Sequence, residues 1–182
     1  VLSTLTDKNS ERKSKGGCMK KIGIMMGSDS DLPVVKKAMD MLDSFGVPYE
    51  VHIYSAHRTP VQAKEFSENA RANGFGAIIC AAGMAAHLAG AVAANTTLPV
   101  IGIPMKSGAM DGVDALYSTV MMPTGIPVAT VAIDGAANAA LLAIEMLAIE
   151  DETLAQKLND KRKADTEKVL EKNAKAEAEW NH

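Results

Sequence analysis

The side chains from which this 182-residue chain could build a reactive site are few: four His, two Cys and 22 acidic residues. One segment joins two useful types. In Ser55-Ala56-His57-Arg58-Thr59-Pro60 an imidazole, with an ordinary pKa of about 6.5 and so able to give and take a proton near neutrality, adjoins a guanidinium suited to bidentate contact with phosphate or carboxylate. The alternative for such a pair in a loop is a solvated His with no chemical task. A second segment, Met26-Gly27-Ser28-Asp29-Ser30-Asp31-Leu32-Pro33, offers close backbone approach at Gly27, hydroxyls at Ser28 and Ser30, and the free amides of a helix start, a combination that favours an anion. The same Ser and Asp residues ahead of a Pro also make an ordinary helix N-cap. Its two carboxylates speak against a bare phosphate cradle, and it has neither the Lys of a P-loop nor a three-glycine dinucleotide fingerprint.

A third segment, Ala81 to Gly90, surrounds His87 with very small side chains that let a ligand or another backbone come close. A packed His with one satisfied hydrogen bond is the competing reading. His52 alternates within a strand and His182 is terminal, so both default to structural or solvent roles. No cluster of His, Cys and carboxylates has zinc spacing, and no metal is expected.

Composition narrows the partners. With 47% hydrophobic and 23% charged residues the chain reads as a folded globular protein. A net charge of −3 excludes a broadly basic nucleic-acid surface, and 4% aromatic residues leave few platforms for stacking bases. Any phosphate site must therefore be local. Cys18 and Cys80 form neither a disulfide framework nor a metal motif, which fits a reducing cytoplasm. Residues 1–18 are polar and lack the apolar stretch of a secretory signal, so they read as a flexible leader or a cloning remnant, followed by one domain over 19–182. Phe75 to Ala94 has the length of a membrane span, but its Ala and Gly content and central His87 point instead to a strand, loop and helix. No membrane partner is expected.

These candidate segments need elements to hold them. Short β-rich runs at Ile22–Met26, Tyr49–Ser55, Ala77–Ala81, Val100–Pro104 and Pro127–Ile133 alternate with helix-period segments, the pattern of βαβ units in a parallel sheet. Leu32, Val35, Met39 and Leu42 recur at helical spacing, with Gly46 as a stop. Further helices are expected over about 61–73, 86–95, 112–120 and 136–149. A long charged helix over 152–178 has Leu154, Leu158, Val169 and Leu170 as its apolar contacts. In a parallel sheet all loops after strands leave at one edge, so the three chemical segments, each following a strand, should converge there.

These residues resemble a known family. Gly27–Asp31, Ser55–Pro60, Ala85-Ala86-His87-Leu88, Met122-Pro123-Thr124-Gly125-Ile126-Pro127-Val128 and Asn138-Ala139-Ala140-Leu141-Leu142 are similar in order and spacing to the PurE family, N5-carboxyaminoimidazole ribonucleotide mutases of purine (IMP) biosynthesis. The likeness runs from about Lys20 to Leu170. It departs at Ala81, Met84 and Ala89, where the family usually has Gly, Gly and Pro, and at Met121, where it usually has Gln.

The resemblance implies a three-layer, flavodoxin-like α/β fold with a five-stranded parallel sheet, a homo-octamer, and no cofactor. It implies an isomerase that moves a carboxyl group from nitrogen to carbon 4 of an aminoimidazole ribonucleotide. In the roles it carries over, His57 is the proton-transferring group. His87 is the second catalytic residue and, with its small neighbours, shapes a carbon dioxide pocket. Ser28, Asp31 and Arg58 hold the phosphoribosyl end, and Gly27, Ser30, Ser55, Ala56, Gly83, Ala86 and Leu88 complete the substrate site. Two other readings stand beside it. One is a carboxylase that fixes free carbon dioxide onto aminoimidazole ribonucleotide. The other is a flavodoxin-like binding or signalling module, against which stand Cys80-Ala81-Ala82 where a receiver needs its phosphoacceptor Asp, and too few aromatics to wall a flavin. The Ala-rich helices and the charged final helix also suggest assembly, with the last helix packed on a neighbouring copy.

Overall fold

Apolar runs flanked by amphipathic helices can bury themselves only by stacking into a sheet covered on both faces. The computed structural model, which describes residues 19–181, is built this way; the leader expected over 1–18 lies outside these residues. In chain order the elements are β1 (Lys21–Met26), α1 (Leu32–Phe45), β2 (Tyr49–Ile53), α2 (Pro60–Asn69), β3 (Phe75–Gly83), α3 (Leu88–Ala93), β4 (Val100–Met105), α4 (Val113–Val120), β5 (Ala129–Thr130), α5 (Ala136–Ala148) and α6 (Glu152–Trp180). The strands pair in parallel in the order β2-β1-β3-β4-β5.

Side chains of the central strands alternate between two cores, as the two-residue period of a strand requires. Ile22, Ile24 and Met26 of β1, with Ile79 of β3 and Ile101 and Ile103 of β4, face α1 and α5. Met25, Ile78, Cys80 and Val100 point the other way, onto α2 and α3. Helix α1 presents Val35, Ala38, Leu42 and Phe45 to the first core and ends at Gly46, whose φ of 72° reverses the chain. Leu32, expected on the buried stripe, is instead 43% exposed in the first turn.

Strand β2 stops two residues before the end expected from the sequence and β3 runs two residues further at each end, and three further elements also differ. β5 pairs over only Ala129–Thr130, because Pro127 has no N–H to donate and the strand lies at the sheet edge; Val131 still donates to Gly102 at 3.1 Å. α2 ends at Asn69 and passes through tight turns to Gly74. α3 is a single short helix of six residues. The segment from Phe75 to Ala94 is indeed strand, loop and helix, and among the described residues no helix is long and apolar enough to cross a membrane.

Helix α6 is anchored at its start. Asp151 caps it by accepting from the N–H groups of Thr153 and Leu154, Leu154 is fully buried, Lys157 donates to the Phe45 carbonyl at 2.7 Å, and Arg162 pairs with Glu145 at 2.6 Å. Leu158 packs against the α1/α5 core. Beyond these contacts the helix runs outward, and Val169, Leu170 and Trp180 are 64%, 60% and 72% exposed. Of the four apolar contacts expected on this helix, Leu154 and Leu158 are the two that join the core among the described residues.

Candidate active site

The loops after β1, β2, β3 and β4 leave the sheet at its carboxyl edge and enclose a cleft of about 480 Å³. Eleven of the twelve residues singled out in the sequence line it: Gly27, Ser28, Ser30 and Asp31 from the first loop, Ser55, Ala56, His57 and Arg58 from the second, and Gly83, His87 and Leu88 from the third. Ala86 does not. It is 1% exposed and packs within the fold beneath the loop.

Each loop is held by its own polar groups. After β2, Ser55 Oγ accepts from the N–H groups of His57 and Arg58, and Thr59 Oγ1 accepts from Ser55 N–H at 2.8 Å. This closed turn leaves both side chains free to point away from it. Arg58 Nη2 donates to the Gly27 carbonyl at 2.7 Å, tying the second loop to the first. There Ser28 Oγ accepts from Ser30 N–H and Ser30 Oγ. After β3, His87 Nδ1 lies 2.9 Å from His57 Nε2, with the two rings nearly perpendicular. A hydrogen bond at that distance requires one nitrogen to carry the proton and the other to accept it, so the pair shares a proton position.

Burial pushes the Asp31 carboxyl above the usual carboxylate range, and the nearby carboxylates of Asp134 and Asp29 add to this, opposed by hydrogen bonds from the Ser28 and Ser30 region. The remaining candidates lie elsewhere. His52 stacks on Tyr54 and tilts against Phe66 on β2, away from the cleft. Cys80 is buried, which pushes its thiol well above its ordinary range. His182 is outside the described residues.

Ala82, Met84, Ala85 and Ser107 also line the cleft. Ser107 comes from the loop after β4 and accepts from Met84 N–H at 3.1 Å. The fourth strand could have pointed to it, since its loop leaves at the same edge, but Lys106-Ser107-Gly108 carries no motif. Chemically, the cleft offers a shared proton on two imidazoles, a cation with donors to spare beside a helix start, and a wall of Gly and Ala.

Fold and cleft together define an open parallel α/β protein with a cleft at the strand ends. The AIR carboxylase family model matches residues 21–168, and the chain belongs to that family. It is 56% identical over 151 residues to the N5-carboxyaminoimidazole ribonucleotide mutase of Pyrococcus horikoshii, covering 83% of this chain and 85% of that one. It is 50% identical over 154 residues to the mutase of Thermotoga maritima, covering 85% and 90%. It is also 50% identical to the phosphoribosylaminoimidazole carboxylase of Candida glabrata, where the match covers 86% of this chain but 28% of that longer protein. Among solved structures, the PurE protein of Treponema denticola superposes with a TM-score of 0.78 at 28% identity, covering 90% of this chain and 99% of that one.

Proposed function

We propose that the chain is an isomerase that converts N5-carboxyaminoimidazole ribonucleotide to 4-carboxy-5-aminoimidazole ribonucleotide, as the relatives named mutases do. The observation that carries the reading is the 2.9 Å contact between His57 Nε2 and His87 Nδ1 in a cleft walled by Gly and Ala. The substrate's N-carboxylate is a labile carbamate. As its C–N bond breaks, the nitrogen takes a proton and carbon dioxide is released; carbon 4 of the enamine-like ring then attacks that carbon dioxide, and the proton on carbon 4 leaves to a base. Atoms and charge balance with no further reactant. One group that gives and then takes a proton suffices, and His57 is that group, with His87 holding its tautomer.

Arg58 meets the phosphate, Ser28 and Ser30 supply hydroxyls beside the helix start, and Asp31 accepts from ribose hydroxyls. Gly27, Ser55, Ala56, Gly83 and Leu88 shape the walls. Holding carbon dioxide against its acceptor replaces a second-order encounter by a local one. We further propose that residues 19–182 form one cytoplasmic mutase domain that assembles as a homo-octamer, with the outward half of α6 packed on an adjacent copy. Its 60–72% exposed Val169, Leu170 and Trp180 support this.

The second reading, fixation of free carbon dioxide, is favoured by the identity to the carboxylase relative. Supplying N5-carboxylated substrate in one assay, and uncarboxylated ribonucleotide plus bicarbonate in another, separates the two. Efficient turnover of the first alone is expected; turnover of the second alone would replace the mutase by a carboxylase.

A further inference from the structure

The segment between β5 and α5 reaches the same sheet edge, and one of its side chains acts on two of the loops that line the cleft. Asp134 is half-buried and holds a left-handed backbone with φ 55°, a conformation that Asp and Asn tolerate better than other side chains. Three hydrogen bonds fix it. Its N–H donates to the Pro104 carbonyl at 2.9 Å, its carbonyl accepts from Ala136 N–H at 2.9 Å, and its Oδ1 accepts from Lys106 N–H at 2.9 Å. The last bond ties down the residue before Ser107, whose Oγ in turn accepts from Met84 N–H in the loop that carries His87. These segments fit closely: a Cβ on Gly112 would come within 2.8 Å of Ile133 and 3.2 Å of the Lys106 Cα, and one on Gly83 within 2.5 Å of Ser107 Oγ. Lys106 turns its ammonium to Asp111 at 2.9 Å. The charge of Asp134 also reaches the first loop, where it adds to burial in pushing the Asp31 carboxyl above its ordinary range.

We infer that Asp134 is a positioning residue of the cleft: its carboxylate clamps the loop after β4, and through Ser107 the loop of His87, while its charge faces Asp31 and makes ligand binding there sensitive to acid. The inference rests on the carboxyl-transfer reading above. The clamp acts on turnover, because the imidazole pair needs His87 held 2.9 Å from His57. The charge acts on affinity. Ionised Asp31 accepts more strongly from ribose hydroxyls than its protonated form, and a neighbouring carboxylate raises the pH at which the ionised form is lost. Facing Asp31 are Asp29, Ser28 and Ser30 of its own loop and Asp134 from the segment before α5. The second and third loops bring Arg58, which donates to the Gly27 carbonyl, and the His57–His87 pair to the same cleft.

The test compares the full parent chain with Asp134→Asn and Asp134→Gly, both of which accept a left-handed backbone. It reads turnover of N5-carboxylated substrate, and affinity for the 4-carboxylated product by calorimetry at about pH 8 and about pH 5. Asparagine keeps an oxygen for the Lys106 N–H, so Asp134→Asn should hold turnover within about twofold of the parent, whereas Asp134→Gly should lose about tenfold, the scale of one hydrogen bond to a charged group. Both variants lack the charge, so between the two pH values both should lose about threefold less affinity than the parent. The product's own phosphate titrates alike in all three, and a purely structural role would not move this difference. Should Asp134→Gly fail to fold, Asp134→Asn alone still reads the charge. Parental turnover in Asp134→Gly, or an acid loss of affinity in Asp134→Asn equal to the parent's, overturns the inference and leaves the proposed function standing. If the parent chain converts none of the substrate, that function falls and the inference falls with it.

Discussion

His57, Arg58 and Asp31 each make a separable demand on the proposed mechanism. Asparagine at position 57 keeps approximate size and hydrogen bonding but cannot shuttle a proton, so His57→Asn should lower turnover by at least about 100-fold while substrate still binds; near-normal turnover in a folded variant would remove His57 from that role. Arg58→Lys keeps charge and loses the planar fork that also reaches the Gly27 carbonyl. We expect apparent affinity to weaken about tenfold with turnover less affected, read from initial rates. Asp31 titrates above its ordinary value of 3.8 because of burial and neighbouring carboxylates. The folded state therefore holds this proton more tightly than the unfolded chain, and stability falls as pH rises from that ordinary value through the raised one. Asp31→Asn should raise the melting temperature at pH 7, an advantage that vanishes by about pH 3, where both states are protonated. An advantage that is the same at both pH values would contradict this origin.

Among the elements, the legibility of each follows its surroundings. β1, β3 and β4 are readable because strands covered on both faces are apolar throughout, and Gly46 marks the end of α1 because the turn there needs a left-handed residue. β5 reads too long in the sequence since Val and Ile around Pro127 look the same whether or not a partner strand is present to pair with them. The loops that line the cleft are readable through the direction of a parallel sheet, yet the sequence does not reveal that Ala86 is buried or that Ser107 lines the cleft: which side of a loop faces the cleft is decided by packing several elements away. Helix α6 divides into two halves with different expected behaviour. Leu154→Ala, at a fully buried position, should cost about 2–5 kcal/mol in denaturant unfolding. Ending the chain after Lys168 removes the exposed Val169, Leu170 and Trp180 and leaves the anchored start of the helix in place. It should leave secondary structure intact while lowering the mass in solution by light scattering, and an unchanged oligomer would detach α6 from the assembly.

At the scale of the whole molecule, the parallel sheet brings four loops to one edge, two of them place imidazoles within hydrogen-bond distance, and small residues around them leave room for a compact intermediate. The proposed transfer passes through free carbon dioxide, so it depends on carbon dioxide staying where it is made. The most direct measurement follows the carboxyl carbon itself. Substrate labelled with ¹³C in the N-carboxylate is turned over in a pool of unlabelled bicarbonate, and the label in the product is counted. The account predicts that the 4-carboxylated product retains the label; product that carries only carbon from the bicarbonate pool, or no product without that pool, would contradict it.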